Sequence, residues 1–202
     1  EGTPDLWKAA GVFLDKKAER WLRVPNPDSD HITHGMMNHA QSAARLGRGD
    51  VVNEVVSRIA TRKYLLPSMM ISYWPNQRGF GFDPVGTLPD IINNALVFSR
   101  QGTLDVLPAL PSAWPKGSIR GIRARGQITI NELAWDIHAG KIRVALTSGT
   151  RQTVTVRLPS SLAVKAFKCI GARMADSGKE SNSRQLQVKA GKPVVLEIEI
   201  EQ

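Results

Sequence analysis

The chain has 202 residues, 42% of them apolar and 22% charged, enough for one large domain or two modest ones and unlike a disordered or fibrous polypeptide. No run approaches the ~18 to 20 consecutive apolar residues that a membrane-spanning helix needs, so no membrane partner is expected. The formal net charge of +9 raises a nucleic-acid partner, but residues 1–100 carry 12 Lys/Arg against 10 Asp/Glu and residues 101–202 carry 15 against 8, which places the excess in the second half.

From the N-terminus, Thr3 and Pro4 have the chemistry of a helix start, and Leu6, Ala9, Ala10, Phe13, Ala18, Trp21 and Leu22 recur at helical spacing. Glu1 precedes this helix directly, with no signal-peptide pattern, so the expectation is an N-terminus left by a cut. VPNPDSD then forms a loop. A second helix is expected over HGMMNHAQSAARLG, ending at Gly47, and a third from Asp50 as N-cap, with Val51, Val52, Val55, Val56, Ile59 and Ala60 on one face. The short GRGD turn between them implies an antiparallel hairpin. A long irregular connection follows, and a fourth helix is expected from about Leu88 to Arg100.

Beyond residue 102 the apolar period changes from 3.6 to 2. QITINELAW, KIRVALTS, QTVTVRLP, AVKAFKCI, RQLQV and PVVLEIEIE alternate between turn signals, which predicts six or seven antiparallel strands closing as a β-sandwich. LDVLPALPSAWPKGS, broken by prolines, reads as an extended strap, so residues 1–102 form a helical domain and 103–202 the strap and sandwich. Lys116, Arg120, Arg123 and Arg125 are the densest basic cluster. They lack the interleaved aromatics of a single-strand binder, and a solvated sheet face is expected instead of nucleic acid.

Candidate chemistry is sparse. Cys169 lies in an alternating segment and reads as a small buried hydrophobe. His31 and His34 stand three apart near Asp28 and Asp30, without the further ligands of a zinc site, so no metal and no cofactor is expected. Phosphate-binding loops, nucleophile elbows and Cys pairs are absent from the sequence. The segment GFGFDPVGT places one acid, Asp83, among glycines and prolines, where a turn is the plain reading. Phe80 and Phe82 flank it, and Tyr73 and Trp74 precede it. Aromatic rings beside a carboxylate suit a sugar-hydrolysing pocket, where the rings cover pyranose faces and the carboxylate acts as base or nucleophile.

LPALPSAWPKGSIRGIRARG, residues 107–126, resembles the strap that leaves the catalytic domain in glycoside hydrolase family 95, the α-L-fucosidase and α-L-galactosidase family. TPDLWKAAGVFLDKK resembles a helix that the family starts with Thr-Pro-Glu-Leu, and AARLGRGD its turn between paired helices; the spacing from Asp83 to LPALP matches that from its catalytic aspartate. The resemblance covers residues 3 to about 150 and implies an α+β multidomain chain: the last helices of an (α/α)₆ barrel, then an antiparallel β-sandwich. It implies an inverting glycosidase of glycan or oligosaccharide substrates, secreted or periplasmic. Asp83 would be its general base, and Trp74, Phe80, Phe82 and His34 would contact substrate. The general acid and the asparagines that polarise the base would lie in an N-terminal part outside this chain, leaving the chain alone inactive. The family pattern departs at Gly81, Pro84 and Val85, where it has Gln, Gly and Asn, and at THGMMNHAQS, where it is rich in tryptophan. The alternative reading is a non-catalytic carbohydrate-binding or structural interaction module.

Overall fold

The computed structural model describes residues 3–19, 32–76, 78–176 and 181–201. The chain divides into two compact units, one of residues 1–95 and 109–113, the other of residues 96–108 and 114–202. The helical unit therefore ends before the sequence-based boundary at residue 103, and a short piece of the strap returns to it.

In the helical unit, α1 (Pro4–Ala18), α2 (Thr33–Arg45) and α3 (Gly49–Thr61) precede a two-stranded hairpin, β1 (Ile71–Trp74) and β2 (Arg78–Gly81), which runs into α4 (Phe82–Leu96). The end of α2 follows from Gly47. At φ +71° it occupies the left-handed position after the helix, and the Arg48 N–H donates to the Ala43 carbonyl at 2.9 Å, the bond that closes a Schellman motif. Asp50 does not cap α3 as its position suggested. The cap position is Arg48, and Asp50 sits in the first turn with its carboxylate turned to the strap, accepting from the Ser112 N–H (2.8 Å) and hydroxyl (2.7 Å). Gly49 permits this approach, since a Cβ there would come within 2.6 Å of the Ala109 and Leu110 backbone.

Helix α1 forms as expected, but its buried side differs from the expected one. Gly11, Leu14 and Ala18 point inward, while Leu6 and Phe13 are 69% and 67% exposed. Trp21, Leu22, Asp28, Asp30 and His31 lie outside the described residues. Met36, Met37, Ala40, Ala43 and Ala44 of α2 form the helical core with Val52, Val55 and Ile59 of α3 and Ile91 and Ala95 of α4. His39 of α2 is buried with them, pushed down to about 4 by desolvation and by the nearby Lys17 charge.

The largest departure from expectation is α4. It begins at Phe82, six residues before the sequence pattern suggested, and stops at Leu96, where Val97–Arg100 turns to strand β3 and pairs with β4 (Thr103–Val106). Pro84 suits a first turn, where no N–H partner is required, and Asp83 suits the positive end of the helix dipole. These local preferences outweigh Gly81 and Gly86, which had suggested a loop.

The strand-rich unit holds two sheets. One runs β10 (Val164–Ile170), β13 (Pro193–Ile200), β8 (Lys141–Ser148), β7 (Ile128–Asp136), β5 (Lys116–Ile119), with β6 (Ile122–Ala124) also on β7. The other runs β11 (Arg173–Asp176), β12 (Ser183–Val188), β9 (Gln152–Arg157), β4, β3. The second is mixed, because β4 pairs with β9 in parallel; LDV, read from sequence as strap, lies inside this sheet. Alternate residues of β8, β9 and β13 are buried, the period-2 pattern of sheets with one covered face. Gly117 lets Trp135 lie across β5, where a Cβ would meet the indole at 2.5 Å, and the Trp135 N–H donates to the Trp114 carbonyl at 2.8 Å. The basic cluster is engaged by the sheet itself: Lys116 pairs with Asp136 (2.8 Å), Arg120 with Glu132 (2.7 Å), and Arg123 donates to Thr129 (2.8 Å).

His39 makes the stability of the helical unit pH-dependent with a definite sign. The unfolded ring takes up a proton near pH 6.5 and the folded ring only near 4, so acidification between those values favours the unfolded state. Urea denaturation at stepped pH should show this group costing on the order of 3 kcal/mol across that window. His39→Gln should flatten the dependence; equal pH slopes in the two proteins would show that His39 is not its source.

Candidate active site

Two helices and one hairpin position the candidate residues. The β1–β2 turn carries Asn76 at φ +58°, a conformation that asparagine tolerates, and places Ser72 opposite Phe80 and Trp74 opposite Arg78. Trp74 and Phe80 therefore share one face of the hairpin. Trp74 is half-buried and packs edge-on to Tyr73, ring centroids 5.7 Å apart. Phe80 and Phe82 form a second edge-on pair at 6.5 Å and are 55% and 81% exposed. These two rings present apolar surface to solvent beside Asp83.

Asp83 is the second residue of α4. Its backbone carbonyl accepts from the Thr87 hydroxyl at 2.7 Å, within the first turns of the helix. Its carboxylate reaches α2: Asp83 Oδ2 lies 3.2 Å from His34 Nδ1, and His34 Nε2 lies 3.1 Å from Asn38 Nδ2. Both ring nitrogens of His34 are thus committed to protein partners. Among the described residues Oδ1 of Asp83 has no hydrogen-bond partner, on a side chain 61% exposed.

A second polar contact repeats the first. Gln41 Nε2 donates to Asp90 Oδ2 at 3.2 Å, again across 49 residues. Both partners have advanced by seven positions, two helical turns, in the same direction, so α2 and α4 run parallel. Asn38 and the Gln41–Asp90 contact escaped the sequence reading. The available signal was the i, i+4 spacing of His34 and Asn38, which places both on one face of a helix.

Gly81 and Pro84 explain each other. A Cβ at Gly81 would stand 3.1 Å from Pro84 Cγ and Cδ and 3.2 Å from the Ile71 carbonyl, so the proline ring fills the space a side chain at 81 would need. Pro84 is buried and Val85 packs on the helical core. His39, on the same helix as His34, is buried. Among the described residues, no three His, Cys, Asp or Glu side chains gather as a metal-binding group.

Residues 98–196 match the family model described as glycoside hydrolase family 95, C-terminal domain. That stretch of the chain is similar to a family 95 C-terminal domain. An α-L-fucosidase 2 from Arabidopsis thaliana is 29% identical over 149 residues, covering 65% of this chain, more than its strand-rich unit alone can supply. The match covers 15% of that relative's own length, so the chain corresponds to a small part of it. Among solved structures, a protein described as a glycoside hydrolase is 15% identical with a TM-score of 0.40, covering 88% of this chain and 34% of its own. A GH127 β-L-arabinofuranosidase from Geobacillus stearothermophilus T6 is 12% identical with a TM-score of 0.34, covering 88% and 32%. Neither of these structural likenesses is close enough to carry an argument.

The contact between Gly81 and Pro84 should appear as coupling in a double-mutant cycle. Gly81→Gln should destabilise the chain by about 1–2 kcal/mol through overpacking, and Pro84→Gly in the same chain should recover part of that cost. Strictly additive costs in chemical denaturation would show that the two residues do not share the space.

Proposed function

We propose that this chain is the C-terminal part of an inverting glycoside hydrolase acting on terminal sugars of glycans, with Asp83 as general base. The observation that supports it most directly is the setting of Asp83: an exposed carboxylate on the first turn of α4, one oxygen held by His34, beside the Phe80 and Phe82 rings. In the inverting mechanism one carboxylate takes a proton from water as it attacks the anomeric carbon, while an acid on the opposite face of the sugar protonates the leaving oxygen. Oδ1 of Asp83 is the atom available to receive that proton. Phe80 and Phe82, with Trp74 set back, would cover apolar sugar faces.

The acid would come from the remaining N-terminal part of the same polypeptide. The exposed Leu6 and Phe13 on α1 support this, as apolar surface suited to further helices of the (α/α)₆ barrel. So does the parallel setting of α2 and α4, with α3 between them in sequence, an order that suits a toroid of paired helices. Secretion or a periplasmic location is part of the same proposal. The competing reading, a non-catalytic binding or interaction module, draws on the absence of the family's amide side chains at positions 81 and 85.

The two readings separate on Asp83. In the polypeptide that joins this chain to its N-terminal part, Asp83→Ala should lower kcat on aryl fucosides or galactosides by a factor on the order of 10² or more, with the product of opposite anomeric configuration by NMR. The isolated 202-residue chain should show no turnover. Unchanged hydrolysis in the Asp83 variant would favour the non-catalytic module.

A further inference from the structure

We propose that His34 is the residue that positions Asp83, itself locked in one tautomer by Asn38, in place of the amide side chains missing beside the acid. This rests on the reading of Asp83 as general base. The argument begins with donors and acceptors. Asn38 Nδ2 carries only hydrogens to offer, so His34 Nε2, 3.1 Å away, must accept. A neutral imidazole with an accepting Nε2 carries its proton on Nδ1, and Nδ1 faces Asp83 Oδ2 at 3.2 Å. Each atom in the chain then has one role: amide N–H to Nε2, Nδ1–H to carboxylate. Free imidazole prefers the opposite tautomer, so the pair of partners selects the form that can donate to the acid.

The consequence falls on Asp83. A carboxylate alone on an exposed first turn rotates about its Cβ–Cγ bond, and either oxygen can face water. With Oδ2 held by a ring that is fixed on α2, rotation is restricted and Oδ1 is presented in one direction. His34 and Asn38 are one turn apart on α2, so the helix supplies their relative placement. The parallel registration of α2 with α4, repeated at Gln41 and Asp90, supplies the rest. Nothing at positions 81 or 85 can do this, since Gly81 has no side chain and Val85 packs into the core.

The tautomer is testable in the chain as it stands. Nitrogen-15 spectra of the 202-residue chain, at a pH where imidazoles are neutral, should show His34 as the Nδ1–H form, and Asn38→Ala or Asp83→Ala should return it toward the Nε2–H form. An Nε2–H or doubly protonated His34 in the unmutated chain would overturn the proposal. The role is tested in the polypeptide that joins the chain to its N-terminal part. His34→Ala and His34→Gln should lower kcat on the order of tenfold or more with little change in KM, as removal of an orienting partner does. His34→Asn, whose amide nitrogen falls near the place of Nδ1, should recover most of the loss. If Asp83→Ala abolishes turnover and His34→Ala leaves kcat unchanged, the positioning role is wrong and the base assignment stands. If neither changes turnover, both are wrong.

Discussion

The helical unit depends on the registration of α2 against α4. Two contacts set it, His34 with Asp83 and Gln41 with Asp90, each spanning 49 residues and separated by two turns along both helices. Exposed polar contacts of this kind contribute little stability, a few tenths of a kcal/mol each in typical cases. Apolar burial holds the helices together, and the alanines at 40, 43, 44 and 95 leave small surfaces on which neighbouring helices pack closely. The polar pairs add two directional contacts to that packing.

The same economy explains the departures around Asp83. The turn into α4 has to bring the carboxylate out of a two-stranded hairpin and into a helix within a single residue. Pro84 presets the helical backbone at that point, and its ring takes the volume next to Gly81. With the ring there, a Cβ at 81 would be crowded to 3.1 Å, so a side chain at 81 would require the ring to shift by a few tenths of an ångström. Val85 then turns to the core, and the first turn of α4 is anchored by apolar packing where the family pattern has amides. Orientation of the carboxylate passes to the only polar side chain that touches it in the structure described, His34 on the neighbouring helix.

Much of the architecture was legible in the sequence because it rests on periodicity. The α2–α3 hairpin, the Gly47 stop and the alternating strands after residue 127 follow from spacing and turn chemistry that act locally. The failures share a cause in tertiary context. Leu6 and Phe13 have helical spacing, yet nothing in the period says which of two adjacent stripes will find a partner. Glycines and prolines around Asp83 read as a loop because their usual cost in helices was counted, while the first-turn exemption for Pro84 was not. Asp50 is a good cap by type, but the strap offers it two stronger donors from Ser112. TLDV was hidden by the prolines that follow it, although none of its own residues opposes a strand. Asp83 was legible as a candidate from the aromatic residues around it and from the resemblance; the His34 and Asn38 contacts required the packed helices.

On the proposed reading, a base without its acid in one segment would follow from how an inverting site is built. The two carboxyls must address opposite faces of one sugar ring, with water on one side and the leaving oxygen on the other, and they stand ~6.5 to 9.5 Å apart. Side chains one turn apart on a single helix lie at a comparable distance, but they point the same way and cannot face each other across a ring. Opposed carboxyls therefore come from opposed elements, and in a toroid of paired helices opposed elements are far apart in sequence. On the proposed reading, Asp83, with His34 on the adjacent parallel helix, would form one wall of such a site. The exposed Phe80 and Phe82 extend that wall, and the apolar face of α1 is surface of the kind that further helices would cover. On that reading, a chain of this length would specify the direction in which the base points while the opposite wall came from another segment.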